Sequence, residues 1–396
     1  MTSHKPILLR GMQIYSGESK LEKGYIKMKD HKIVDIGPEE DLTGAEGYEI
    51  LDFPSGSMAV PGFIDVHIHG VNGADVMDAT EEALNNMVRT LPREGTTSFL
   101  ATTMTQSRNE IEKALKNTGS YIHTQKNNGQ SEIIGIHLEG PFVNEKKAGA
   151  QPKEHIEDPD VNVFKKWQSI SQNSIKLVTL AVEQAGGLEM VRYLSETGVI
   201  ASIGHSDAAY EEADAAIAAG ANHVTHLFNQ MRGLHHREPG VVGAAFLRDE
   251  LKTEIIADGI HVHPEMIKLA YREKGEKGII LITDSMRAKC LKNGQYDLGG
   301  QEVIVQDGKA VLEDGTLAGS ILKMDNAVKN MLAYTGCQIH EVIEMVSVNP
   351  AKQLNIFDRK GSISKGKDAD IVILDENMEV LMTFCRGTTA FREEEN

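Results

Sequence analysis

Through the middle of the chain, eight short apolar runs alternate with helical stretches, and no other feature limits the fold as much. The runs are residues 62–69, 96–101, 133–139, 175–181, 200–205, 223–226, 253–258 and 279–284. They are apolar along their length, as parallel strands buried on both faces must be. Helical signals fall between most of them. Ser107-x-x-Glu110 opens one stretch as a capping box, and Ile111, Leu115 and Ile122 follow on one face. Asp207 to Ala219 is Ala-rich and ends at Gly220, a C-cap residue. Eight strands alternating with helices predict a (β/α)8 barrel, with a doubly wound sheet as second choice.

The two ends have a different character. Ile7-Leu8-Leu9, Met12–Tyr15, Tyr25–Met28, Lys32–Ile36 and Tyr48–Leu51 are closely spaced short strands with Gly, Asp and Lys turns, which predicts a small antiparallel sheet. Ala369–Leu374 and Val380–Phe384 match them near the C-terminus. Neither end can build a sheet core alone, so residues 1–60 and 357–396 are expected to form one β-sandwich domain, with the barrel over 61–356. Two separate β-caps are the alternative. Asn293-Gly294, Gly299-Gly300, Asp307-Gly308 and Asp314-Gly315 interrupt the rhythm and predict a hairpin insertion at 287–320.

At 396 residues the chain can bury a sizeable core, and its net charge of −17 argues against nucleic acid or an anionic membrane as a partner. An anionic substrate would then need local cations. Cys290, Cys337 and Cys385 are scattered and odd in number, so they form no disulfide framework and suit a reducing cytosol. Met1-Thr2-Ser3-His4-Lys5-Pro6 lacks an apolar signal core, and no run approaches 18 apolar residues. The sequence therefore predicts a cytoplasmic protein.

The chemistry gathers at strand ends. Residues two apart on a strand face the same way, so His67 and His69 project together, and Gly70 lets the chain turn away. Alone the pair is weak evidence, because 15 His in 396 residues yield roughly 0.6 such pairs by chance, and His261-Val262-His263 is a second one. Five of the eight runs, however, end in a metal-ligand or acid–base type: His67 and His69, His137 and Glu139, His205, His226, and Asp284. In a barrel those ends share one mouth, which predicts a metal site. His137 reads equally as a core histidine or a ligand, His223 as structural, and His263 as a helix cap. His4, His31, His123, His155 and His340 read as surface.

These residues lie in motifs that together are specific: Pro61-Gly62-Phe63-Ile64-Asp65-Val66-His67-Ile68-His69-Gly70, His137-Leu138-Glu139-Gly140-Pro141-Phe142, Gly204-His205-Ser206, Thr225-His226-Leu227-Phe228-Asn229, Asp258-Gly259-Ile260-His261, Thr283-Asp284-Ser285-Met286, Leu317-Ala318-Gly319-Ser320 and Lys365-Gly366-Lys367-Asp368-Ala369-Asp370. Nearly end to end, the chain resembles the amidohydrolase superfamily, and within it the N-acetylglucosamine-6-phosphate deacetylase family. The resemblance implies hydrolysis of the acetamide of N-acetyl-D-glucosamine 6-phosphate, in amino-sugar catabolism and cell-wall recycling. It implies one divalent ion on Glu139, His205 and His226 and a second on His67 and His69, with Glu139 bridging. The ions would be Zn, Fe, Mn or Co. Asp284 would be catalytic. Gln151, Asn229, Gln230, Arg237, His261, Leu317, Ala318 and Gly319 would meet the substrate, and Arg237 and His261 would reach the neighbouring site of a homodimer.

Two positions depart from the family pattern. Gln151 stands where many members have His, and Ser285 where they have Ala. The amine leaving group needs a proton, which Asp284 is placed to supply after acting as base toward the attacking water. Arg237 can grip a phosphate bidentately, with a surface pair to Glu238 as the alternative. Rival readings are the galactosamine 6-phosphate epimer, a cyclic-amide hydrolase or nucleobase deaminase, and a catalytically silent sugar-phosphate-binding protein.

Overall fold

The computed structural model describes residues 5–17, 19–126 and 129–394, so His4 lies outside the described residues. Eight parallel strands form one sheet: β1 (Phe63–Ile68), β2 (Thr96–Thr102), β3 (Glu132–Glu139), β4 (Ile175–Leu180), β5 (Ile200–Ile203), β6 (His223–Val224), β7 (Lys252–Ile256) and β8 (Ile279–Ile282). Each pairs with the next in chain order. β8 closes on β1 at the C-terminal tip, where the Asp284 amide donates to the His67 carbonyl at 2.9 Å and the His69 amide to the Ser285 carbonyl at 2.9 Å. The result is the expected (β/α)8 barrel. Its strands are buried on both faces, which is why they read as continuous apolar runs.

Several strands stop short of the predicted ends, and the shortfall falls on the candidate site. His205, His226 and Asp284 have φ of 46°, 32° and 48°, left-handed values that a strand cannot contain. The backbone turns sharply at each, so the side chain leaves the strand tip toward the barrel axis. Such conformations are unfavourable for side-chain-bearing residues and persist where surrounding contacts enforce them. Gly70 is required by close approach, because a Cβ there would lie 2.3 Å from the Ala74 carbonyl oxygen and 2.9 Å from the Arg287 nitrogen.

The helix Arg108–Thr124 begins as predicted, with the Ser107 hydroxyl accepting from the Glu110 amide at 3.4 Å. The Glu110 carboxylate does not complete a capping box but pairs with Lys113 at 2.7 Å. The predicted helix at 207–219 starts later, at Tyr210, and runs to Ala218.

Strands from both ends form one eight-stranded sheet in the order Thr388–Arg392, Val380–Cys385, Ile371–Leu374, Met58–Pro61, Ile7–Tyr15, Lys20–Lys29, Lys32–Pro38, with Glu49–Asp52 on Ile7–Tyr15. The expected purely antiparallel pairing needs correction. Glu49–Asp52 and Met58–Pro61 both run parallel to Ile7–Tyr15, on successive parts of it. Both segments run toward the barrel, and neither follows a hairpin turn that would reverse it. The two limbs share a core that includes Leu9, Ile14, Ile26, Ile33, Ile371 and Phe384. The predicted insertion is a three-stranded antiparallel sheet, Gly294–Leu298, Gln301–Gln306 and Lys309–Val311.

The terminal sheet meets the end of the barrel opposite the candidate site through buried charges. Glu132, the first residue of β3, receives two bonds from the Arg359 guanidinium at 3.0 and 3.1 Å and one from Lys360 at 2.8 Å. Lys360 is fully buried and also pairs with Asp370, while Arg359 bonds Asp368 at 2.7 Å. Burial pushes the Glu132 carboxyl up, but Lys360 and Arg359 outweigh it and lower its pKa to about 2. A depressed carboxylate pKa stabilises the fold above the unfolded value near 4.5 and loses that contribution as pH falls toward 2. Glu132→Gln should therefore cost on the order of 3 kcal/mol at neutral pH. The deficit relative to wild type should shrink between about pH 4.5 and 2 in urea unfolding.

Candidate active site

Glu139 ends β3 at the centre of the barrel mouth, 2% exposed, with four imidazoles around its carboxylate. Its Oε1 lies 3.2 Å from His205 Nε2, 3.3 Å from His226 Nε2 and 3.4 Å from His67 Nε2, and its Oε2 lies 3.2 Å from His69 Nε2. Asp284 Oδ1 sits 3.4 Å from His67 Nε2 and 3.3 Å from His69 Nε2. The structure thus brings six of the seven strand-end candidates to one centre, all but His137. Among the described residues, His67, His69 and Glu139 form one group able to hold a metal ion, and Glu139, His205 and His226 another.

The donor chemistry fits a cation. His205 Nδ1 lies 2.8 Å from the Lys147 carbonyl oxygen, which only accepts, so Nδ1 carries the proton. In the neutral ring Nε2 is then bare, and it faces a carboxylate oxygen and the His226 Nε2 at 3.1 Å. His67 repeats the pattern. Its Nδ1 lies 2.9 Å from the Glu254 carboxylate, and its buried Nε2 has no hydrogen-bond partner among the described residues. Lone pairs converging in a buried site are costly unless a positive charge lies between them.

The electrostatics show the same demand for positive charge. Burial disfavours charge on His67, but the surrounding carboxylates outweigh it, raise the ring well above its ordinary value and so favour a proton on it where no ion lies. Burial raises the Glu139 carboxyl, but His67, His205 and His226 together push it well below the carboxylate range. Burial likewise raises Asp284, and His67 and His69 bring it below its ordinary value, so it is ionised and able to accept a proton. Burial works against charge on His69, but Asp284 and Glu139 raise it to about 9. In Glu254, burial is outweighed by His67 and His223, and the group lies far below the carboxylate range.

A small, partly open cavity lies above this centre. Asn229, Gln230, His261, Leu317 and Gly319 line it, and Leu298 of the hairpin sheet forms part of its wall. His261 donates from Nδ1 to Asp258 at 2.6 Å, which leaves Nε2 free to meet a ligand. Burial lowers the His261 pKa, and Asp258 more than offsets it.

Of the remaining candidates, Gln151 lines the cavity, whereas Ala318 and Arg237 do not, and for Arg237 this is compatible with the expected reach to a neighbouring site. The Gln151 amide is already engaged: Nε2 donates to Glu139 Oε2 at 2.9 Å, and Oε1 accepts the Thr105 amide at 2.9 Å. Ala318 does not face the cavity. It is fully buried in the hairpin's apolar cluster, and its amide bonds the Ala310 carbonyl at 3.0 Å. Arg237 is exposed, does not line this cavity, and bonds His236 Nε2 at 2.9 Å. The alternative pair with Glu238 is not formed; that carboxylate accepts the Tyr210 and Gly240 amides on Oε1 at 2.9 and 3.1 Å.

His137 is buried, bonded to Thr179 at 2.7 Å and packed edge-on to His67 at 4.5 Å between ring centres, and with His67 and Glu254 it makes a third group of metal-ligand type. His223 is buried against Glu254, and His263 caps the helix Pro264–Gly278. Ser285 uses the hydroxyl that distinguishes it from Ala to donate to the Gly70 carbonyl at 3.1 Å, tying the tip of β8 to β1. Sequence reasoning did not single out Glu254. The only signal available was a carboxylate within an otherwise apolar strand.

A sequence profile described as the amidohydrolase family matches residues 58–390. The chain belongs to the amidohydrolase family. Within that family it is 48% identical to the N-acetylglucosamine-6-phosphate deacetylase of Bacillus subtilis, over 98% of each chain. It is 35% identical to the N-acetylgalactosamine-6-phosphate deacetylase of Escherichia coli O157:H7, over 97% of this chain and 99% of that one. Among solved amidohydrolase structures, a mutant deacetylase of Mycobacterium smegmatis in complex with N-acetyl-D-glucosamine-6-phosphate superimposes with a TM-score of 0.91 at 28% identity. The match covers 98% of this chain and 100% of that one. No described helix is long and apolar enough to cross a membrane.

If a cation holds the converging nitrogens together, removing it must loosen the barrel mouth. Dialysis against a strong chelator should lower the melting temperature by several degrees and abolish turnover, and a divalent ion should restore both. Elemental analysis before and after checks the loss.

Proposed function

We propose that the protein hydrolyses the acetamide of N-acetyl-D-glucosamine 6-phosphate to D-glucosamine 6-phosphate and acetate, with two divalent ions per subunit. The observation that carries this reading is the position of Asp284, whose Oδ1 lies within 3.4 Å of both His67 and His69 at the corner that Glu139 shares with His205 and His226. Glu139, His205 and His226 would hold one ion, and His67, His69 and the shared Glu139 the other. When bound, such ions acidify water and polarise a carbonyl. The donor set suits Zn, Fe, Mn or Co.

Asp284 takes a proton from the attacking water and passes it to the departing nitrogen, base first and acid second. Its ionised state supports the first role. Glu139 is less suited, because both of its oxygens face imidazole nitrogens. Asn229, Gln230 and the backbone near Leu317 and Gly319 meet the sugar, and His261 presents Nε2 toward it. Gln151 acts on the bridging carboxylate as well as on the ligand.

The phosphate needs a cation, and in one protomer Arg237 lies outside the pocket lining. A homodimer that carries Arg237 to the neighbouring site accounts for this. Leu234 and Leu247, 58% and 66% exposed, flank an apolar helix beside Arg237 and give such an interface a nonpolar surface. Three scattered, unpaired cysteines support a cytoplasmic setting, and the reaction suits amino-sugar catabolism and cell-wall recycling. The galactosamine epimer is the second reading, favoured by the resemblance to the E. coli enzyme.

Steady-state assays of both epimers, the unphosphorylated sugar and dihydroorotate should show the highest kcat/KM for N-acetyl-D-glucosamine 6-phosphate. A higher value for dihydroorotate would refute the reading. Asp284→Asn should lower kcat by about 10²–10⁴-fold with metal content unchanged. Arg237→Ala should raise KM for the phosphorylated sugar roughly 10–100-fold, consistent with loss of a charged hydrogen bond, and leave the plain sugar unaffected.

A further inference from the structure

Beneath the candidate ligands lies a buried carboxylate that the proposed reaction does not use. Glu254 sits within β7, among Thr253, Ile255 and Ile256, and is 0% exposed. A carboxylate in a barrel interior is expensive, and the layers of such interiors are ordinarily filled by branched apolar side chains. Three donors surround this one. Oε2 accepts from His67 Nδ1 at 2.9 Å and from the His226 backbone amide at 3.1 Å, and Oε1 accepts from His223 Nε2 at 3.0 Å.

The two bonds to Oε2 act on two different parts of the site. An ionised carboxylate only accepts, so His67 must carry a proton on Nδ1, and in the neutral ring that leaves Nε2 as the lone-pair nitrogen facing Glu139 and Asp284. The second bond holds the amide of His226 where the backbone turns through φ 32° to direct that ring at Glu139. Resting on the reading of His67 and His226 as metal ligands, we propose that Glu254 is a positioning residue for both ions. It fixes the tautomer of a ligand to one ion and the backbone turn that presents a ligand to the other. Outer-shell partners of this kind typically change metal affinity 10–100-fold.

Glutamine at this position can keep its oxygen toward His67 and His226 and turn its amide nitrogen to His223, whose ring proton then moves from Nε2 to Nδ1, so geometry survives while charge is lost. Aspartate keeps the charge but is one methylene too short to reach all three donors. Zinc affinity, measured by competition with a chromophoric chelator, should therefore fall no more than about tenfold in Glu254→Gln and about 100-fold in Glu254→Asp. Zinc per subunit should fall in the Asp variant. Wild-type affinity in Glu254→Asp, or a loss in Glu254→Gln as large as in Glu254→Asp, would overturn the proposal. His67→Ala, measured alongside, separates the two readings. If it binds as much zinc as wild type with the same affinity, His67 is not a ligand, and the foundation fails rather than the role of Glu254.

Discussion

One carboxylate, Glu139, faces four imidazoles, and the arrangement of the barrel mouth follows from that meeting. Nitrogens that each need a proton or a cation lie 3.2–3.4 Å from its two oxygens. Two of these rings have the far nitrogen committed to an acceptor, the Lys147 carbonyl for His205 and Glu254 for His67. Their near nitrogens are thereby turned inward as bare donors to a positive centre. The protein has built an acceptor-rich cluster from strands distant in sequence, and its own backbone and side chains set the protonation of that cluster.

The strand tips explain how the side chains come to converge. A regular strand alternates its side chains between the barrel interior and the surrounding helices. At β5, β6 and β8 the chain leaves that alternation through left-handed residues, and those residues are His205, His226 and Asp284. Hydrogen bonds hold the unfavourable turns in place. The Asp284 carbonyl accepts the Ser320 amide at 2.8 Å, and the His226 amide is held by Glu254. The hairpin insertion adds a wall on the same side, with Gln301 bonding the Ala150 carbonyl at 2.6 Å, next to Gln151. At the other end Glu132, Arg359, Lys360, Asp368 and Asp370 form a network of ion pairs between the terminal sheet and the barrel. The candidate site therefore occupies one mouth, and these charges occupy the opposite end.

Much of the architecture and the central site could be read from the sequence. The alternation of apolar runs and helical stretches gave eight strands, because burial on both faces leaves a local pattern in each run. The residues that meet at the barrel mouth were legible for a related reason. His67, His69, Glu139, His205, His226 and Asp284 all stand at or just past the end of such a run, and in a barrel all those ends open on one face. His263 as a cap and the hairpin turns at Gly299-Gly300 and Asp307-Gly308 were equally local, since each depends on neighbours only a few residues away.

What the sequence by itself determined is therefore what short-range pattern records: strand count, fold class, and which residue types stand at the strand tips. The tertiary structure decided how those residues are used. Glu254 and His67 are 187 positions apart, and only closure of the barrel places them 2.9 Å from each other. Whether His137 binds a ligand or packs, whether Gln151 meets substrate or Glu139, which way Arg237 faces, and that Ala318 is buried all depend on such distant contacts. So do the two parallel pairings in the terminal sheet. The reason is physical: a hydrogen bond or a buried charge is satisfied by whatever the fold brings within about 3 Å, and sequence separation carries no record of that distance.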